Sequence, residues 1–241
     1  MDNKTIDMNK PLLECIKLSK SYVSGNFVLR NLNITIGPGR IIGLLGPNGC
    51  GKTTLIKLIT GLLTPTAGDI RIRGVAPGPE SASIVSYLPE QTYLSPSMTV
   101  DDAIEYFKDF YHDFKPERAY DMLSRLGIDN KTRFKNLSKG TKEKIQLILV
   151  LSRDAQLYIL DEPIAGVDPA ARDYILETIL SNYNKNASVI ITTHLIYDIQ
   201  NYLDDAMFLK DGKILMAGSV KELESKYEKS LNDIFREVFK C

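Results

Sequence analysis

Apolar positions along the chain recur with two different periods, and the switches between them mark out its elements. Residues 13–36 alternate apolar and polar, most clearly at Leu32, Ile34 and Ile36, which predicts half-buried strands. Gly37-Pro38-Gly39 turns the chain into Ile41-Ile42-Gly43-Leu44-Leu45, a short continuous apolar run that predicts a buried strand. Thr54–Thr60 then predicts a helix, stopped by Gly61. Gly68–Gly74 reads as another short strand bounded by glycines. Three more apolar runs, Ile84–Leu88, Leu157–Leu160 and Val189–Thr192, have the continuous character of parallel strands covered on both faces. Helical patterns separate them. This alternation predicts an α/β fold with a mainly parallel sheet and helices on its faces.

Residues 95–152 break the rhythm: they are helical, charged and without a good strand. They predict a helical subdomain inserted between two sheet strands, so that the core is made of residues 1–94 and 153–241. Within the insert, Tyr106, Phe107, Phe110, Tyr111 and Phe114 recur at helical spacing and predict either subdomain core or a groove for a partner helix. Further on, Phe208–Leu215 is a hairpin pattern around Asp211-Gly212. The tail sets Leu223, Tyr227, Leu231, Ile234, Phe235 and Val238 on one helical face. That helix is expected to pack on its own domain, with dimer contact as the alternative.

Composition narrows the class. Of 241 residues 44% are hydrophobic, enough for a real core. Thirty basic residues balance thirty acidic ones, so no global charge calls for nucleic acid, and none is expected as a partner. Cys15, Cys50 and Cys241 are widely spaced and odd in number, which fits a reducing compartment rather than a disulfide or zinc framework. The longest apolar run, near Ile145–Leu151, is far short of the ~20 residues needed to span a bilayer. The polar start carries no apolar leader pattern. A cytoplasmic location is expected, with any membrane role exercised through a partner.

The strongest chemical signal is Gly46-Pro47-Asn48-Gly49-Cys50-Gly51-Lys52-Thr53-Thr54, which fits the phosphate-binding P-loop pattern. Its glycines let backbone N–H groups converge on phosphate oxygens. Lys52 can reach the β- and γ-phosphates, and the Thr53 hydroxyl can ligate Mg²⁺. The loop lies between a predicted strand and a predicted helix, where the helix dipole favours an anion. Cys50 reads as a small residue that fits the loop. Farther along, Leu157–Leu160 runs into Asp161-Glu162. Asp161 is placed to hold Mg²⁺, and Glu162 to take a proton from a water attacking the γ-phosphate.

Asn136-Leu137-Ser138-Lys139-Gly140-Thr141 precedes an apolar helix. Here the chain resembles the nucleotide-binding subunits of ABC transporters, whose signature reads Leu-Ser-Gly-Gly-Gln. Leu137, Ser138 and Gly140 match; Lys139 and Thr141 depart. A hydroxyl and a bare N–H at a helix start can both donate to a γ-phosphate. Other landmarks of that family follow in order. Tyr22 lies where the family stacks an aromatic ring on adenine, with Val28 nearby. Ser86-Tyr87-Leu88-Pro89-Glu90-Gln91 matches the Q-loop region. Register puts Glu90 at the glutamine position and Gln91 one residue later, leaving open which approaches the metal and the water. Ala165-Gly166-Val167-Asp168 resembles the D-loop, and His194 the switch histidine that positions the water.

The resemblance spans about residues 12–220. It implies a P-loop NTPase core with an N-terminal antiparallel β-subdomain and the helical insert carrying the signature. It implies ATP and Mg²⁺ as cofactors, and Glu162, His194 and Lys52 as catalytic residues. A head-to-tail dimer with a second ATP-binding subunit, identical or not, is also implied. In it Ser138, Gly140 and Asp168 meet the partner's ATP, while a separate transmembrane permease receives the work. The Lys139–Lys142 region and Ile164–Asp168 lean toward export. The alternative is a soluble ATPase of the same family acting on a cytosolic complex or on nucleic acid. A small-molecule kinase would not need the Leu137–Gly140 helix start or His194, and a sensor without turnover would not need Glu162.

Overall fold

The computed structural model describes residues 5–164, 169–184 and 186–239. Two long strands, β1 (Leu13–Val23) and β2 (Asn26–Ile36), form a hairpin, and β3 (Ile41–Leu45) enters the P-loop. Helix α1 (Lys52–Ile59) leads to β4 (Ala67–Ile72), the short α2 (Pro79–Ala82) and β5 (Val85–Leu88). A helical stretch follows: α3 (Val100–Phe110), α4 (Pro116–Arg125) and α5 (Lys139–Leu151). The chain then alternates through β6 (Leu157–Asp161), α6 (Pro169–Asn182), β7 (Ser188–Thr193) and α7 (Ile196–Ile199). A final hairpin, β8 (Asp205–Lys210) and β9 (Lys213–Ser219), precedes α8 (Val220–Tyr227) and α9 (Leu231–Phe239).

The strands make two sheets. One is a three-stranded antiparallel sheet in the order β2-β1-β4. The other has six strands in the order β5-β6-β7-β3-β8-β9, parallel except for the last. The expected α/β class, with its antiparallel sheet, is therefore the fold observed. The apolar runs form the centre of the larger sheet: every residue of β3, β6 and β7 is buried. One apolar cluster lies between the two sheets, around Leu29, Leu44 and Ile56. A second joins the other face of the large sheet to the helical stretch, through Phe107, Ile148, Leu160 and Phe208.

Two local expectations are corrected. The tail is not one helix. Glu228 adopts φ +53°, its N–H closes on the Glu224 carbonyl, and the chain restarts at Leu231. Leu223, Leu231, Ile234 and Phe235 are buried, and Phe208 packs edge-on against Phe235, so the tail does dock on its own domain. The aromatic run divides as well. Phe107 and Phe114 are core, Phe110 is 66% exposed, and Phe114 lies past the end of α3, bridged to Arg153. Asp211 and Gly212 both take positive φ, as a two-residue hairpin turn requires.

Candidate ATP site

In an open parallel sheet, ligands gather beyond the carboxyl ends of the strands. Here three neighbouring strands end together. β3 runs into the P-loop, β6 ends at Asp161, and His194 follows β7. Their register sets Asp161 beside Thr192 and Leu45 beside Thr193. A cavity of about 320 Å³ opens there. The P-loop residues Asn48, Gly49, Gly51, Lys52, Thr53 and Thr54 form one wall, with Val28 beside them. Glu90, Glu162 and His194 form the other. Gly51 has φ +112°, a torsion that a residue with a side chain rarely adopts, so the backbone there favours glycine.

Lys52 is only 6% exposed and its ammonium is held by oxygens: Gly46 O at 2.8 Å, Pro47 O at 3.3 Å and Glu162 Oε1 at 3.5 Å. The other carboxylate oxygen of Glu162 lies 3.1 Å from His194 Nδ1. Glu162 itself takes φ +51°, an uncommon conformation for glutamate. Its N–H reaches the Thr192 carbonyl at 3.1 Å and the Thr192 hydroxyl at 2.9 Å, which holds that turn in place.

Asp161 is 1% exposed. Burial pushes its carboxyl above the ordinary range; the Thr192 and Thr53 hydroxyls oppose the rise, and the charges of Glu162 and Glu90 add to it. The Thr192 hydroxyl donates to Oδ1 at 2.6 Å, but Oδ2 has no hydrogen-bond partner of good geometry. An orphaned carboxylate oxygen beside a threonine hydroxyl is a donor set for a hard divalent cation. Among the described residues no cluster of three or more His, Cys, Asp or Glu could hold a metal by itself. Mg²⁺ characteristically takes one or two protein oxygens and completes its shell with water and phosphate, so the residues present fit it.

The remaining expectations sort clearly. The Tyr22 hydroxyl lies 3.3 Å from Thr54 Oγ1 and the ring is 58% exposed, at the edge of the P-loop. Cys50 points the other way, into the apolar cluster between the sheets, and burial raises its thiol. Glu90 and Gln91, which the sequence left tied, diverge in one respect: Glu90 lines the P-loop cavity and Gln91 does not, although both border a further cavity and Gln91 also lines a separate groove. Ser138 caps α5, its hydroxyl accepting the Thr141 N–H at 3.1 Å. Neither Ser138 nor Gly140 lines the P-loop cavity. Asp168 lies outside the described residues. Sequence reading missed Thr192, which ties Asp161 to the Glu162 turn, and Arg153, a buried hub described below. A threonine inside an apolar strand run was the only available sign of the first.

Residues 29–165 match the family model described as ABC transporter. The chain belongs to that family. This ABC ATPase is 34% identical over 90% of its length to the SkfA peptide export ATP-binding protein SkfE of Bacillus subtilis (strain 168), covering 93% of that protein. It is 30% identical over 95% of its length to the ABC-type transporter ATP-binding protein EcsA of the same organism, covering 97% of it. A solved ATP-binding subunit of an ABC transporter superposes with a TM-score of 0.85 at 29% identity, over 94% of this chain and 98% of that one. The ATP-binding and ATPase expectations therefore hold: the protein is an ABC transporter ATP-binding subunit, an ATPase coupled to transport. None of its described helices is long and apolar enough to cross a membrane.

Proposed function

We propose that the protein is the ATP-hydrolysing subunit of an exporter, closing head to tail with a second ATP-binding subunit on two ATP molecules and driving a separate permease. The observation that carries this is the half-built site. One chain assembles Lys52, Thr53, Glu162 and His194 around the cavity, with Asp161 buried one residue before Glu162, yet leaves Ser138 and Gly140 outside it. A Cβ on Gly140 would meet nothing within 4 Å, so packing inside the chain does not require glycine there. A bare backbone at an exposed helix start is what an incoming phosphate needs, and a partner's nucleotide supplies it. By the family resemblance, Asp168 would join them at the partner's nucleotide. The export direction rests on the relative named for peptide export.

In this reading the γ-phosphate displaces the oxygens around Lys52 and takes up its charge. Glu162 accepts the proton of the attacking water, and His194, within reach of that carboxylate, holds water and phosphate in line. Thr53 and Asp161 would hold Mg²⁺, which supplies charge neutralisation on the phosphate oxygens. Beside this site runs a groove of about 530 Å³, with Leu62, Tyr87, Gln91, Tyr93, Tyr106 and Tyr111 on its walls. Four tyrosines and a leucine make a suitable seat for a short amphipathic helix of the permease. Through Gln91 and Glu90, neighbours in sequence, that seat adjoins the nucleotide.

The test is Glu162→Gln with ATP and Mg²⁺. It should bind nucleotide, fail to turn over, and double in mass by light scattering. A variant that stays monomeric under those conditions refutes the sandwich. The same variant, used as bait in mild detergent, should retain a polytopic membrane protein. Recovery of soluble partners alone refutes the permease.

A further inference from the structure

A second cavity, of about 570 Å³, lies on the far side of the Glu162 turn, between that turn, the Glu90 loop and the start of α5. Glu90 and Glu162 line both cavities and so form the wall between them. One residue lining this second cavity, Gln146, carries a buried oxygen, Oε1, that finds no hydrogen-bond partner within the protein. Gln146 is 2% exposed and sits in the middle of α5 among leucines and isoleucines. A glutamine in that place loses the solvation of its amide and gains no packing that leucine would not give. Its cost is offset if the cavity holds water, because the space is polar and roomy enough for several molecules. Lys139, Lys142 and Glu143 line the cavity too, and Lys139 is 84% exposed, so the chamber adjoins solvent.

We infer that this chamber is the water-supply route of the hydrolytic reaction, and that Gln146 is a positioning residue that orders its water against Glu162. The inference rests on Glu162 being the base. One water oxygen forms a bond to the γ-phosphorus, the bond from that phosphorus to the ADP oxygen breaks, and the water's proton passes to Glu162. That proton leaves with the products, so ATP and water give ADP, phosphate and one proton. Gln146 Oε1 accepts a hydrogen bond from a chamber water whose own oxygen faces the wall. Replenishment of the attacking water thus need not wait for the nucleotide side to open.

The test uses the full chain with Gln146→Met, which keeps length and removes the acceptor, and Gln146→Asn, which keeps the amide and leaves room for one more water. Steady-state ATP hydrolysis in H₂O and D₂O is measured with fluorescent-nucleotide affinity and thermal midpoint. Gln146→Met should lower kcat about five- to tenfold, the worth of one water-mediated hydrogen bond in a barrier, with affinity and midpoint unchanged and an altered solvent isotope effect. Gln146→Asn should recover most of that loss. Unchanged kcat and isotope effect in Gln146→Met overturns the inference. So does a loss of kcat that tracks a lowered midpoint and is equal in both variants, since that marks a purely structural glutamine. If Glu162→Gln turns over at the wild-type rate, the base assignment itself fails, and that result is separate from either outcome.

Discussion

Arg153 offers the sharpest test of how the helical stretch is fastened to the sheet. It is 2% exposed and follows α5. Its guanidinium donates to both oxygens of Asp113, at 3.0 and 3.2 Å, and to the backbone carbonyls of Val85, Ala82 and Ser83, at 2.6, 3.1 and 3.0 Å. It also stacks over the Tyr111 ring at 3.8 Å. Every donor contact therefore joins the insert side, through Asp113 and Tyr111, to the start of β5. Arg153→Met keeps the stem and removes all of them. Breaking a buried ion pair from one side costs about 3–5 kcal/mol. Asp113 is 22% exposed and recovers part of its solvation, which lowers the figure, while three carbonyls lose a charged donor, which raises it again. A net loss of about 4 kcal/mol follows. For a chain of this length that is a fall of roughly 10 °C in the unfolding midpoint. Reversible urea unfolding followed by circular dichroism measures it. Arg153→Lys should cost nearly as much, because an ammonium cannot span five acceptors. Asp113→Asn leaves the buried guanidinium without its counter-charge and should cost about 3 kcal/mol, at the low end of that range because the three carbonyls and the Asn Oδ1 still accept. A loss below about 1 kcal/mol for Arg153→Met refutes the account.

Three further outcomes follow from the site. Lys52→Ala should weaken nucleotide binding or turnover sharply, and unchanged steady-state hydrolysis would sink the P-loop assignment. Asp161 carries a carboxyl whose folded-state pKa is raised by burial, so its charge destabilises the fold at neutral pH, and the penalty fades as pH falls through the folded pKa toward the ordinary value. Asp161→Asn should therefore raise the midpoint without nucleotide at pH 7 and erase any Mg²⁺-dependent hydrolysis; a lowered midpoint contradicts it. Cys15, pushed up to about 12 by burial, and Cys50, raised for the same reason, should resist a thiol reagent at pH 7.5 until the chain unfolds, as peptide mapping by mass spectrometry would show.

The parallel strands were legible because both faces of such a strand are covered and its sequence runs apolar without interruption. Glycine spacing disclosed the P-loop because the loop needs torsions that side chains disfavour, such as φ +112° at Gly51. The tail misled because Leu223, Leu231 and Ile234 keep a helical period across a break that a single torsion at Glu228 makes, and glutamate gives no sign of a left-handed turn. Glu90 and Gln91 could not be told apart, since which side of a loop a residue faces is decided by the walls around it. Arg153 and Gln146 were invisible as sites. Each is a polar residue whose burial comes from chain segments tens of residues away, and no local pattern encodes that.

The pairing of Lys52 with Glu162 changes what substrate recognition means for this enzyme. Without nucleotide, the carboxylate lies between an ammonium and an imidazole, so the group best placed to take a proton has its lone pairs engaged. In the proposed mechanism a γ-phosphate would compete for both of those neighbours at once and, in drawing them away, free the carboxylate at the moment a water needs it. A diphosphate would reach Lys52 through its β-phosphate but has no γ-group to engage His194 as well, and so would leave that half of the clasp closed. The arrangement acts as a safety catch: the same atom of substrate that is to be cleaved off is the one that releases the group that cleaves it.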